Sequence, residues 1–109
     1  MIQYIIILSI MKMIYKPPFR KFVKKQTRPT QLAVEDEIER ISDNPAIGEV
    51  KLGDLGGIQV HKFKFQRQTF LIAYRVAEPD IVFYSIGTHE NFYRDLKRYL
   101  KGAEKSDYS

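Results

Sequence analysis

The sequence predicts an α+β fold, in which an antiparallel sheet is combined with two N-terminal helices and one C-terminal helix in the order β-α-α-β-β-β-α. Apolar residues recur at helical spacing in two early segments and one late segment. Three consecutive segments between them are rich in β-branched and aromatic residues and are separated by short turns, which favours antiparallel hairpins. We expect the helices to cover one face of this sheet, within a single domain.

The domain itself is expected to span residues 13–102. Residues 1–12 are strongly apolar and are interpreted as an N-terminal extension or an extra strand, with Met11 and Met13 as alternative starts. The run is too short for a membrane span, which needs about 20 apolar residues, and it lacks the pattern of a signal peptide. Residues 103–109 are predicted to be a polar tail.

Two helices are expected after a short strand at residues 14–15. The first follows Pro17 and Pro18, carries apolar residues at helical spacing, and is broken at residues 28–29. The second covers residues 30–42, with Thr30 as its N-cap and Val34, Ile38 and Ile41 as its buried stripe. Its acids, which include Asp36 and Glu37, are expected on a solvated face.

A glycine-containing loop at residues 46–57 leads to three predicted strands, at residues 58–65, 69–76 and 81–86. A final helix is expected over residues 90–101, because Phe92, Leu96 and Tyr99 fall on one face. In the first of the three strands, alternation places His61, Phe63 and Phe65 on the opposite face from Lys62 and Lys64. We expect His61 to be packed in the core.

The charge of the chain favours an anionic partner, since the net charge is +5 and the pI is near 9.5. Six cations and no acid fall between residues 16 and 28. The absence of cysteine excludes disulfides, thiolate metal sites and thiol nucleophiles, and is compatible with the reducing cytoplasm. Two histidines without an acidic cluster make a poor zinc site, so no metal or other cofactor is expected.

The pair Lys62 and Lys64 is the first candidate for chemistry. Two ammonium groups at i, i+2 on one strand face can bind one phosphate together, and their mutual repulsion lowers the pKa of one, which suits a general base. An ordinary solvated strand face is the competing interpretation.

His89, which follows the last strand, is the second candidate, because its ordinary pKa of about 6.5 lets it donate or accept a proton near neutral pH. A surface histidine at a helix start is the alternative. Tyr93 and Arg94 are close enough in sequence to reach the same cleft. Candidate phosphate-binding cations are Arg67, Arg75, Arg94 and Lys51.

The motifs that follow the second helix resemble those of the RelE/ParE toxin superfamily. They are Ser42-Asp43-Asn44-Pro45, then Lys51-Leu52-x-Asp54-Leu55-Gly56-Gly57, the strand residues 61–65 and 70–76, and Gly87-Thr88-His89 with the helix start after it. The resemblance covers residues 14–101. It implies a RelE-like fold and a bacterial type II toxin that cleaves mRNA, typically on the ribosome, and is neutralised by an acidic antitoxin.

The resemblance also implies roles for individual residues. The paired lysines of the family fall on Lys62 and Lys64, and a catalytic histidine of one branch falls on His89. An arginine of the third strand falls on Leu71, with Arg67 or Arg75 as possible substitutes. The tyrosine of the final helix falls near Asp95, and Tyr93 is the nearest aromatic hydroxyl.

The hypothesis drawn from these residues is a metal-independent endoribonuclease in the cytoplasm, with mRNA, the ribosome and an acidic antitoxin as partners and no membrane. The ribose 2′-hydroxyl would attack the adjacent phosphate, with a lysine as base and His89 as acid. A ParE-like gyrase poison and a non-catalytic basic module that binds RNA or protein remain as alternatives.

Overall fold

The structure is a computed structural model that describes residues 12–107, with side chains through residue 102. The elements are β1 (Lys12–Tyr15), α1 (Pro17–Lys24), α2 (Arg28–Asp43), β2 (Glu49–Val50), β3 (Gln59–Phe65), β4 (Gln68–Ala77), β5 (Asp80–Thr88) and α3 (Phe92–Asp107). The predicted α+β class is confirmed. The interpretation of the apolar N-terminus concerns residues that lie, except for Lys12, outside the described ones.

Five strands form one mixed sheet in the order β1-β5-β4-β3-β2. The pairs β2–β3, β3–β4 and β4–β5 are antiparallel, as expected, but β1 runs parallel to β5. A parallel neighbour is possible here because residues 16–79 separate the two strands, so no tight turn has to join them. The two-residue strand β2 lies in the expected loop and is too short for any alternation to reveal it.

The expectation that helices cover only one face of the sheet is wrong. Helices α1 and α2 pack on one face, where Phe19 and Val34 meet Ile72 and Phe83. Helix α3 packs on the other face, where its Phe92 and Leu96 meet four strand residues, Ile58, Val60, Leu71 and Ala73. The reason is visible in β4, whose residues 70–74 are all buried: a strand that is apolar on both sides needs a cover on both sides.

The start of α2 also differs from the prediction. The helix begins at Arg28 with Thr27 as its N-cap. Pro29 therefore lies in the first turn of α2 and does not mark the end of α1. Proline is tolerated there because the first backbone N–H groups of a helix have no partner within the helix. Thr30, the expected N-cap, is buried in that turn and its hydroxyl lies 3.0 Å from that of Thr27.

His61 is buried on the α1–α2 side of the sheet, which confirms its predicted packing. Its Nε2 lies 3.2 Å from Glu37 Oε1, and Arg40 Nε lies 3.0 Å from Glu37 Oε2. The expectation that Glu37 is solvated is therefore wrong, since only 14 % of its side chain is exposed. The cause is helical spacing: Glu37 falls between Val34 and Ile41 on the stripe that faces the sheet.

Tyr74 of β4 fixes the chain segment that follows α2. Its buried hydroxyl donates to Pro45 O at 2.7 Å and accepts from Gly48 N at 2.8 Å. Gln59 Nε2 lies 3.2 Å from the same hydroxyl and donates to Pro45 O at 2.8 Å. Burial raises the pKa of Tyr74, and the Gly48 hydrogen bond opposes that rise. No helix within residues 12–107 is both long and apolar enough to span a bilayer.

Candidate nucleic-acid interface

Lys62 and Lys64 are both exposed on β3, where they alternate with the buried His61 and Phe63. Their side chains continue the face that Ile58 and Val60 begin, which is the α3 side of the sheet. Helix α3 covers that face over the first half of β3 and leaves it open at the two lysines. Within the described part of the chain, neither lysine forms an ion pair.

The sheet register brings His89 level with these lysines. Lys62 pairs with Leu71 of β4, which pairs with Gly87 of β5, and Lys64 pairs with Thr69. Because β5 ends at Thr88, the exposed His89 follows at the level of Thr69, two strands from Lys64. Two inter-strand spacings separate their backbones by about 10 Å. Asn91, at a φ of +66°, then turns the chain into α3.

Lys51 and Tyr93 meet elsewhere on the same face. The Lys51 ammonium lies 5.2 Å from the centre of the Tyr93 ring and 3.2 Å from Glu49 Oε1. Burial would lower the pKa of Lys51, but hydrogen bonds to Glu49 and Tyr93 outweigh it, so the pKa lies above its usual value. The backbone N–H of Lys51 donates to Ile58 O, which places this contact four residues, about 13 Å along β3, from Lys62.

The three candidate arginines lie in different places. Arg67 is at the tip of the β3–β4 hairpin, at the same end of the sheet as Lys64 and His89, and is exposed. Arg75 lies towards the opposite end of the sheet, where its Nη2 donates to Gly56 O at 3.3 Å. Arg94 points to solvent and pairs with Asp95 at 3.4 Å. Only Arg67 therefore joins the group formed by the two lysines and the histidine.

The β3–β4 hairpin holds Arg67 in an unusual backbone conformation. Gln66 and Arg67 form its two-residue loop with φ values of +50° and +67°. Both angles belong to a type I′ turn, which usually contains asparagine and glycine because larger residues are strained there. Backbone conformations of this kind are common at functional sites, and here one of them places the exposed Arg67 at the hairpin tip.

Leu71 is fully buried on the α3 side of β4, between Lys62 and Gly87 in the register. No cation can take part from this position, so any substitute for the arginine implied by the resemblance has to come from elsewhere, and Arg67 is the candidate at the correct end. Glu49 holds Lys51 and is not among the residues that the sequence predicts for the site. Had β2 been recognised, its i, i+2 spacing would have placed both side chains on one face.

A cluster of exposed cations beside an imidazole can bind a phosphate and move a proton to or from it. Lys62, Lys64 and Arg67 supply positive charge, and His89 supplies an imidazole that can donate or accept a proton. Among the side chains that the structure describes, those of residues 12–102, no three from His, Asp or Glu converge on a point that could hold a metal ion.

Comparisons with known proteins agree with this fold. The sequence model of the family described as "ParE-like toxin of type II bacterial toxin-antitoxin system" matches residues 13–97. The intact E. coli RelBE toxin–antitoxin complex contains a chain that is 16 % identical, with a TM-score of 0.58 over 72 % of this chain and 96 % of that chain. The isolated E. coli RelE toxin is also 16 % identical, with a TM-score of 0.56 over 81 % and 97 %. No curated protein matches the sequence.

Proposed function

The chain belongs to the ParE-like toxins of type II bacterial toxin–antitoxin systems, and from this premise we propose that it is an endoribonuclease that cleaves mRNA without a metal ion. The resemblance to the RelE/ParE superfamily is thereby confirmed, and an antitoxin is its partner. The proposal includes the cleavage reaction, its location on the ribosome and its place in the cytoplasm. It also includes the acidity of the antitoxin.

The proposed reaction uses the nucleophile of the RNA itself. The ribose 2′-oxygen attacks the adjacent phosphorus while the bond from phosphorus to the 5′-oxygen breaks, leaving a 2′,3′-cyclic phosphate and a 5′-hydroxyl. Lys62 or Lys64 accepts the 2′-hydroxyl proton or stabilises the charge that grows on the phosphate oxygens. His89, in its protonated form, donates a proton to the departing 5′-oxygen.

The remaining residues are assigned to binding and orientation. Arg67 is proposed to hold the RNA backbone at the hairpin tip, because its guanidinium can contact two phosphate oxygens at once. Tyr93 carries the aromatic hydroxyl that is nearest in sequence to the family's tyrosine position, and the Lys51 ammonium lies against its ring. Arg75 and Arg94 are left as peripheral phosphate contacts, since each is engaged by a group of the chain itself.

One observation carries the proposal: two exposed lysines without acidic partners lie level with His89 on one end of the sheet. On a solvated strand, two like charges at i, i+2 lie about 7 Å apart and repel each other weakly. A phosphate between them removes that repulsion, so the pair is better suited to an anionic substrate than to water.

The proposal is tested with the purified chain, a translating ribosome preparation and 5′-end mapping of the mRNA. Wild-type protein that has been treated with EDTA and then freed of it should cleave as fast as untreated protein and leave 5′-hydroxyl ends. His89→Ala should lower the cleavage rate about 10²–10⁴-fold, as removal of a general acid does. Lys25→Ala, an exposed lysine on the other side of the sheet, is the control and should cleave normally. Full activity of His89→Ala would remove the assignment of the acid.

Gyrase poisoning is the second candidate, and the family description, which names ParE, favours it. It requires no cleavage chemistry, so it predicts inhibition of DNA supercoiling by purified gyrase together with intact mRNA. Binding of RNA without cleavage or supercoiling inhibition would identify a non-catalytic module instead. Running both assays on the same preparation separates the three functions.

A further inference from the structure

Three exposed apolar side chains lie close together at one edge of the sheet. Among residues 12–102, five large apolar side chains are exposed, and three of them, Ile47, Val50 and Leu52, fall within six consecutive residues. The exposed fraction is 61 % for Val50 and 85 % for Leu52. Covering such side chains with a partner is favourable because it removes apolar surface from water. This segment is therefore a candidate contact surface.

The backbone of β2 is open to a further strand. β2 is the last strand of the sheet, and its register pairs Val50 with Gln59 of β3. One residue later, Lys51 N donates to Ile58 O at 2.9 Å. Because hydrogen-bonded and non-hydrogen-bonded pairs alternate in an antiparallel ladder, the N–H and C=O of Val50 point away from β3. Both groups can therefore pair with the backbone of another strand.

The charges of β2 are arranged so that the strand is complementary to itself. Glu49 and Lys51 flank Val50 on the α3 side of the sheet, where the ammonium lies 3.2 Å from Glu49 Oε1. When two such strands run antiparallel with Val50 opposite Val50, each Glu49 lies opposite the Lys51 of the other strand. Opposite charges at facing positions stabilise a strand pair. β1, the other edge strand, contains a lysine and no acid and lacks this complementarity.

We infer that two copies of this chain associate through β2, with a two-fold axis at Val50. Each Val50 donates a backbone hydrogen bond to the other copy and accepts one from it, so the two sheets join edge to edge. The Val50 side chains meet at the axis on the α1–α2 side, because alternation turns them away from Glu49 and Lys51. The apolar and the charged side chains of β2 thus both gain partners in one contact.

The residues on either side of β2 fit the same register. Gly48 and Leu52 have extended backbones, with φ values of −75° and −117°. Leu52 then faces Gly48 of the other copy, which has no side chain to obstruct it. The interface is small, so the dimer is expected to be weak and dependent on concentration. Residues 62–67 and His89 take no part, so the inference is independent of the proposed nuclease.

The first test exchanges the charges of β2. Lys51→Glu makes the strand acidic and Glu49→Lys makes it basic, and by symmetry each change creates two repulsive contacts. In sedimentation velocity, wild type should show a monomer–dimer equilibrium, and each variant alone should have a Kd that is higher by about 10-fold or more. An equimolar mixture of the two variants should associate at least as tightly as wild type. The double variant Glu49→Lys with Lys51→Glu should also dimerise.

The second test uses the absence of cysteine from the sequence. Facing residues of a hydrogen-bonded antiparallel pair have Cα atoms about 5.5 Å apart, within the range of about 4.4–6.8 Å that a disulfide spans. Val50→Cys should therefore form a disulfide-linked dimer under mild oxidation. Leu32→Cys, at an exposed position of α2, is the control and should cross-link about 10-fold more slowly or less. Thermal unfolding verifies that each variant is folded.

Several results would overturn the inference. They are a wild type that stays monomeric at every concentration, a dimer that both single charge variants form as readily as wild type, and a mixture of those variants that does not associate. Equal cross-linking of Val50→Cys and Leu32→Cys would refute the register. If Val50→Ser weakened antitoxin binding while the toxin alone stayed monomeric, the antitoxin would be the occupant and the inference would fail. A wild type that dimerises without cleaving mRNA would refute only the nuclease.

Discussion

Tyr74→Phe should destabilise the protein without altering its shape. Phenylalanine fills the same buried volume, so the change removes only the hydroxyl. That hydroxyl donates to Pro45 O at 2.7 Å and accepts from Gly48 N at 2.8 Å. The variant therefore isolates how much the sheet contributes to holding the segment that leads from α2 to β2.

The expected magnitude follows from what remains unpaired in the variant. Pro45 O keeps its hydrogen bond from Gln59 Nε2 at 2.8 Å, so it loses only one of two donors, about 0.5–1.5 kcal/mol. Gly48 is buried, and its N–H has no other hydrogen-bond acceptor in the described structure, which costs about 1–3 kcal/mol. The free energy of unfolding should thus fall by about 2–4 kcal/mol.

Urea unfolding followed by circular dichroism measures this change. With an m-value of about 2 kcal/mol/M, the midpoint should fall by about 1–2 M while m stays constant. Tyr84→Phe, on a half-buried tyrosine of β5, is the matched control and should move the midpoint by less than about 0.3 M. A loss below about 0.5 kcal/mol in Tyr74→Phe would show that water or a backbone shift satisfies Gly48, and the assignment of this anchor would be withdrawn.

Three other outcomes follow from the described contacts. Glu37→Gln should lower the free energy of unfolding by about 1–2 kcal/mol in urea titrations, because it weakens the buried contact to His61, whereas the exposed Glu39→Gln should cost less than about 0.5. Arg67→Gly should raise stability by about 0.5–1 kcal/mol by relieving the positive φ, while weakening RNA binding measured by fluorescence anisotropy. Since burial raises the pKa of Tyr74, the unfolded chain releases that proton first, so wild-type stability should fall as pH rises past about 10, and more steeply than in Tyr74→Phe.

Local spacing was sufficient to predict most elements of the fold. The three central strands differ by only a few residues from their predicted limits, and the stripe of α2 is buried at Val34 and Ile41 as expected. The alternation that separated Lys62 from Phe63 is equally local, because each residue of a strand faces the opposite side from its neighbour. These features depend only on residues close in sequence, which is why the sequence alone contains them.

Features that depend on distant partners were not predicted. The parallel pairing of Met13 with Ile81 joins residues 68 positions apart, and no turn signal specifies it. The neighbouring acids of α2 indicate a solvated position for Glu37. Its partner His61 lies 24 residues further along the chain, so local spacing does not reveal the contact. Coverage of both sheet faces could have been inferred, since residues 70–74 form a continuous apolar run of the kind that buried strands show.

The candidate site lies where the part of the sheet covered by α3 ends. Ile58 and Val60 are buried under that helix, and Lys62 is the first residue of the same strand face to emerge beyond it. Apolar residues are required where the helix packs, and charged residues are tolerated only past its edge. The same reasoning explains why an apolar residue stands at position 71. Leu71 pairs with Lys62 but lies one strand further inside the sheet and is fully buried, so an arginine there would lose its hydration. The positive charge that the proposal assigns to the reacting phosphate therefore lies at the open end of the sheet, where the hairpin tip carries Arg67.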